Sequence, residues 1–107
     1  MAAVVMAAGA VVLAACGADV PATPSDPVLA QGQQIYGARC ASCHGAAGGG
    51  GIAPALAGRM TERFPDINDN IALVAGGVPG TSMRAFADIL SPEEIEAVVL
   101  YTRETLT

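Results

Sequence analysis

The stretch Cys40-Ala41-Ser42-Cys43-His44-Gly45 constrains this chain more than any other. Two thiols three positions apart, followed at once by a histidine, form the attachment pattern for c-type haem. Each thiol adds to one vinyl group on the same porphyrin edge, and the next residue supplies an imidazole to the iron. One turn of backbone lets Cys40 and Cys43 reach both vinyls and brings His44 under the metal. Two other chemistries use part of this pattern. A thioredoxin-like dithiol has Cys-x-x-Cys within a βαβ unit, but here no β-branched run precedes the motif and His44 has no role. A structural zinc site takes four ligands, and the only further cysteine is Cys16.

A chain of 107 residues allows one small domain. Its core must be built largely from Ala, Val and Gly, with no Trp and only Tyr36, Phe64, Phe86 and Tyr101 as aromatics. Domains of this size commonly need a staple, and a covalently held porphyrin supplies apolar bulk. There is no lysine and the net charge is −5, so a basic nucleic-acid footprint is absent.

Residues 1–15 are uncharged and almost wholly apolar. That is short of the roughly 20 residues of a bilayer span and suits an export signal. The run ends Leu13-Ala14-Ala15-Cys16, which resembles the bacterial lipoprotein processing box. The resemblance implies cleavage before Cys16 and lipid attachment to its thiol, at the periplasmic or outer face of a bacterial membrane. Residues 16–27 carry three prolines and several small polar residues, which predicts a flexible, unpacked linker.

Asp26 as N-cap and Pro27 at the first helical position predict a helix reaching Arg39. Leu29, Gly32, Ile35, Tyr36 and Cys40 then share one face. Ser91-Pro92-Glu93-Glu94 predicts a second strong start, with a capping box. Ile95, Val98, Val99, Thr102 and Leu106 follow along one side of that helix, with Tyr101 at its border. Between them, a short helix is predicted over Asp69–Ala75, and another start near Thr61. Gly48 to Gly51 lacks the strand, helix start and lysine of a phosphate loop, and reads as a flexible turn.

From about Val28 to the C-terminus the chain resembles the class I single-haem c-type cytochromes. That family implies an all-α fold of short helices and loops around one covalent haem c, its first and last helices crossing. Gly32, Tyr36 and Cys40 match the family spacing at that crossing, and Tyr101 matches its second aromatic. The segment Ile52 to Arg59 resembles the one whose proline carbonyl accepts the histidine's other ring N–H, which points to Pro54. Arg59 is then a partner for a haem propionate. Thr81 to Phe86 resembles the family's distal ligand strand, which makes Met83 the sixth ligand, although Arg84 stands where many members have proline. Met60 is the competing sulfur. His44 is the only histidine, so two histidines of one chain cannot share the iron.

The implied function is one-electron transfer without catalysis. The donor would be a dehydrogenase or quinol-oxidising complex, and the acceptor an oxidase, reductase or photosynthetic centre. Docking is expected through an apolar patch at Val78, Met83, Ala85 and Phe86. The alternatives are an open-site haem protein, sensory or peroxidase-like, and a fixed cytochrome subunit of a larger oxidoreductase.

Overall fold

A computed structural model describes residues 20–107, which form five helices and no strand. The expected export signal and Cys16 lie outside the described residues. The helices are α1 (Pro27–Arg39), α2 (Ala41–His44), α3 (Met60–Arg63), α4 (Ile67–Gly76) and α5 (Pro92–Glu104).

Both long helices begin where their capping residues place them. The Asp26 carboxylate accepts from the Val28 and Leu29 amides, with Pro27 needing no partner in the first turn. At α5, Ser91 Oγ accepts from the Glu94 amide (3.1 Å) and Glu94 Oε1 accepts from the Ser91 amide (2.9 Å). Such reciprocal caps contribute about 1 kcal/mol each. The α4 helix starts two residues before the expected Asp69, because the Asp66 carboxylate accepts from the Asn68 amide and caps it. Pro65 stands just before this cap, where the chain bends between α3 and α4.

The crossing of α1 and α5 is as tight as backbones allow. A Cβ on Gly32 would overlap the Ala97 carbonyl of α5 and stand 2.7 Å from Tyr101 Cβ. Gly32 therefore answers a packing demand, at a cost of about 1 kcal/mol in helix propensity. One turn on, Tyr36 packs against Tyr101, their ring centroids 5.5 Å apart and tilted by 54°. Tyr101 does not sit at the border of the α5 face, as the periodicity suggested. It is fully buried, because the glycine opposite lets α1 close over it.

Around this crossing Tyr36, Val98, Tyr101 and Leu106 form one buried cluster. Phe86, Leu90, Ile95 and Val99 form a second. Ile35 and Val74 touch both clusters and join them. Phe86 is thus core rather than part of an exposed docking patch. Arg103 fastens α3 to α5 by donating to the Met60 and Phe64 carbonyls (3.3 and 2.6 Å).

Two segments expected to be loose are tied down. Gln33 Nε2 donates to the Pro21 carbonyl (2.8 Å), so the end of the linker lies against α1. The glycine run is held by backbone hydrogen bonds. Gly48 is buried, and its carbonyl accepts from the Leu56 and Ala57 amides.

Replacing Gly32 by Ala forces a Cβ into the α5 backbone. Urea unfolding is expected to show a loss of about 2 kcal/mol or more, despite roughly 1 kcal/mol gained in helix propensity.

The Tyr36 hydroxyl donates to the Gly45 carbonyl (2.7 Å). Burial, reinforced by the neighbouring Cys40 and Tyr101, pushes its pKa from 10.0 up to about 12. The folded state therefore favours the neutral phenol. That contribution is fully present below pH 10.0 and is lost as pH rises through about 12. Alkaline titration followed by far-UV circular dichroism should show loosening in this window. Tyr36→Phe should move the transition upward in pH while costing about 1 kcal/mol at neutral pH for the lost hydrogen bond.

Candidate haem site

The attachment motif sits where α1 ends. Cys40 closes α1 as its C-cap and serves as N-cap of the single turn α2, which carries Cys43 and His44. Cys40 and Cys43 form no disulfide and stand at partly buried positions. Burial, with a smaller contribution from Cys43, pushes the Cys40 thiol up to about 11, so it stays protonated at neutral pH.

Gly45 ends α2 with φ at 89°, a conformation glycine adopts without strain. The chain then turns back beneath its own motif. The Gly50 amide donates to the His44 carbonyl (2.7 Å), and the Ala53 amide donates to the Cys43 carbonyl (2.9 Å). This return delivers the Pro54 carbonyl to His44 Nδ1 at 2.8 Å. A carbonyl only accepts, so Nδ1 carries a proton, and in the neutral ring it is Nε2 that has the lone pair to offer a metal. The Pro54 position is thus the one the family spacing implied.

Beside these residues lies a cavity of about 660 Å³. Cys40, Cys43, His44 and Pro54 form one part of its lining, and α4, α5 and the loop after α4 supply Leu73, Val74, Val78, Phe86, Val98 and Val99. Both sulfur candidates, Met60 and Met83, also line it. Met60 is buried, whereas Met83 is partly exposed on the loop after α4. That loop is pinned at its base by the Val78 amide donating to the Met83 carbonyl (3.0 Å) and by Gly77, where an added Cβ would strike Arg84 and Ala85.

The residues fit a haem on three counts. The volume lies within the ~300–1,000 Å³ range of cofactor pockets, and the lining is mainly apolar with few polar groups. A histidine in a single fixed tautomer stands in the wall next to both cysteines. No group of three or more His, Cys, Asp or Glu side chains is placed to hold a metal ion among the described residues, which does not suit a zinc site.

Arg59 is exposed and is not among the residues that line the cavity. Arg39, Arg63 and Arg84 do line it, and so does the buried Asn70. None of these four was singled out from sequence as a cofactor contact. For Asn70 the available signal was an asparagine among the apolar residues of a predicted helix.

Residues 27–101 match the family model described as cytochrome c oxidase, cbb3-type, subunit III. The chain belongs to this cytochrome c family. Membership implies haem c, and the helical architecture is that of class I cytochromes c. Over 85 residues this cytochrome is 33% identical to the quinohemoprotein alcohol dehydrogenase ADH IIB of Pseudomonas putida, covering 76% of the present chain but only 12% of that protein's length. Among solved structures, cytochrome c6C of Synechococcus superposes with a TM-score of 0.59 at 34% identity, over 71% of this chain and 94% of that one. Cytochrome cL of Methylophaga aminisulfidivorans superposes with a TM-score of 0.65 at 20% identity, over 76% of this chain and 55% of that one. At that identity the likeness to cytochrome cL is one of fold alone.

Because the Pro54 carbonyl holds the His44 Nδ1 proton, that proton should be observable in the haem-loaded protein. A ring N–H resonance assigned to His44 is expected by NMR, exchanging far more slowly than that of an exposed imidazole.

Proposed function

We propose that this cytochrome is an exported one-electron carrier holding one haem, bound covalently through Cys40 and Cys43, with His44 and Met83 as axial ligands. The observation that carries this reading is the 2.8 Å contact between His44 Nδ1 and the Pro54 carbonyl, in the wall of an apolar cavity that Cys40, Cys43 and Met83 also line. When bound, haem supplies an iron that cycles between Fe(II) and Fe(III). The chain's part is to hold that iron with one imidazole nitrogen and one thioether, to exclude water, and to leave a porphyrin edge open for exchange. A soft thioether favours Fe(II) and raises the potential. With His44 and Met83 both holding the iron, no open position would remain on it for peroxide or oxygen.

Met83 is favoured over Met60 by its setting. Met60 is only 6% exposed, and its carbonyl is tied to Arg103 across the α3–α5 contact. Neither methionine belongs to a core cluster, but Met83 stands on the loop after α4, in the segment that resembles the family's distal ligand strand. Around the cavity, Ile52 is 85% exposed. Together with Val78 and Met83 it replaces the buried Phe86 in an apolar contact patch.

The relatives support a reading of the partners. A quinohemoprotein alcohol dehydrogenase among them supports a dehydrogenase as electron donor. The matching family description supports a terminal oxidase as acceptor. Lipid attachment at Cys16 would hold the domain against the outer face of the membrane that carries such partners. The dehydrogenase relative is several times longer than this chain, which also favours a second reading, a fixed subunit of a larger oxidoreductase. Co-purification of a catalytic subunit from detergent-solubilised membranes selects the subunit reading, and isolation of the cytochrome alone selects the carrier.

Haem staining that survives a denaturing gel is the expected sign of covalent attachment. The oxidised protein should show the weak thioether–iron charge-transfer band. Met83→Ala should abolish the band and lower the midpoint potential, whereas Met60→Leu should preserve both. Loss of the band in Met60→Leu would transfer the ligand role to Met60. A wild-type protein that lacks the band and readily binds carbon monoxide when reduced would replace the carrier with an open-site haem protein.

A further inference from the structure

The cavity wall carries charge of one sign. Arg39, Arg63 and Arg84 line it, and no Asp or Glu among the described residues does. All three arginines are exposed, and they come from separate places: the last residue of α1, the last of α3 and the loop after α4. The whole chain has ten acidic residues against five arginines, a net charge of −5. Of the other two arginines, Arg103 is engaged inside the fold by the Met60 and Phe64 carbonyls, and Arg59 lies off the cavity. The molecule is therefore polarised, with a cationic cavity wall on an otherwise acidic body.

This arrangement decides which surfaces can approach the cavity. At about 0.1 M ionic strength exposed charges act over roughly 10 Å. A partner close to the cavity thus senses its arginines ahead of carboxylates elsewhere on the domain. A guanidinium fork pairs with a carboxylate through two parallel hydrogen bonds, and arginine is enriched at protein interfaces. Ile52, largely exposed, lines the same cavity and adds an apolar contact. A basic surface would be repelled here and drawn to the acidic remainder instead, away from the cavity.

We propose that the redox partner docks at the cavity through an acidic face, presenting Asp and Glu carboxylates to Arg39, Arg63 and Arg84 beside an apolar contact at Ile52. The proposal deepens the carrier reading above and rests on it.

The test follows oxidation of the haem-loaded, reduced protein by two small probes as ionic strength is raised. Ferricyanide is an anion and tris(phenanthroline)cobalt(III) a cation. The net charge alone predicts a rate that rises with salt for the anion and falls for the cation. A cationic cavity mouth predicts the reverse for both. Arg39→Gln, Arg63→Gln and Arg84→Gln should each lower the ratio of the ferricyanide rate to the cobalt rate roughly two- to fivefold at low salt. Taking the ratio cancels a shared change in driving force. Gln31→Glu alters the net charge by the same amount at an exposed position off the cavity, and should leave the ratio unchanged. Electron transfer to an oxidised, acidic plastocyanin should slow as salt is added, and slow further in the triple arginine variant. Probe rates that follow the net charge would overturn the proposal; this is also the result if bound propionates neutralise the arginines. So would a plastocyanin rate indifferent to salt, with phosphatidylglycerol vesicles sedimenting the wild type more than the triple variant, because the mouth would then face an anionic membrane surface. A chain that takes up no haem overturns the haem reading, whereas a loaded protein whose rates ignore the three arginines overturns only this inference.

Discussion

The contact on which the rest of the structure depends is the closure of α1 onto α5 at Gly32. Because no side chain separates the two backbones there, Tyr36 is carried against Tyr101 and buried. Its hydroxyl then reaches the Gly45 carbonyl and sets where the chain leaves α2. From Gly45 the backbone bonds Gly50 to His44 and Ala53 to Cys43, and these aim the Pro54 carbonyl at the imidazole. One missing methyl group on α1 is thus connected, through five short hydrogen bonds and contacts, to the orientation of the His44 imidazole.

The second constraint is a shortage of bulk. Among described side chains with less than 2% exposure, Tyr36, Tyr101, Leu106, Val99 and Asn70 are the largest, and one of these is polar. Both core clusters contribute residues to the wall of the cavity. A domain this small has little surface to bury, so a covalently attached apolar cofactor would serve as part of its core as well as its chemistry. That double duty explains why Val98, Val99 and Phe86 belong to the core and to the cavity wall at once.

What could be read from the residues was whatever is encoded locally. The caps at Asp26 and Ser91 act within one turn, and both helices begin as read. The Cys-x-x-Cys-His spacing is also local, and the resemblance of the segment Ile52 to Arg59 pointed to Pro54, whose carbonyl lies 2.8 Å from His44 Nδ1. The α4 cap at Asp66 is equally local, yet the apolar pattern alone marks the helix only from Asp69. Other features depend on the returning chain and were beyond reach. Tyr101 is buried because of a glycine 69 positions earlier in the sequence. The glycine run is ordered because Leu56 and Ala57 come back to bond Gly48. Three arginines, but not Arg59, line the cavity, and no pattern along the chain distinguishes them.

The Gln33 side chain has a consequence for the segment that leads into the domain. Its amide holds the Pro21 carbonyl at 2.8 Å and reaches the Tyr101 hydroxyl at 3.4 Å, so the incoming chain is moored at the helix crossing. Only five peptide steps separate Cys16 from Pro21, and at roughly 3.6 Å per residue they reach at most about 18 Å. A lipid at Cys16 would then act less as a long leash than as a swivel. The domain would turn close to the bilayer, and reach toward a partner would come from rotation about that point and lateral diffusion of the anchor.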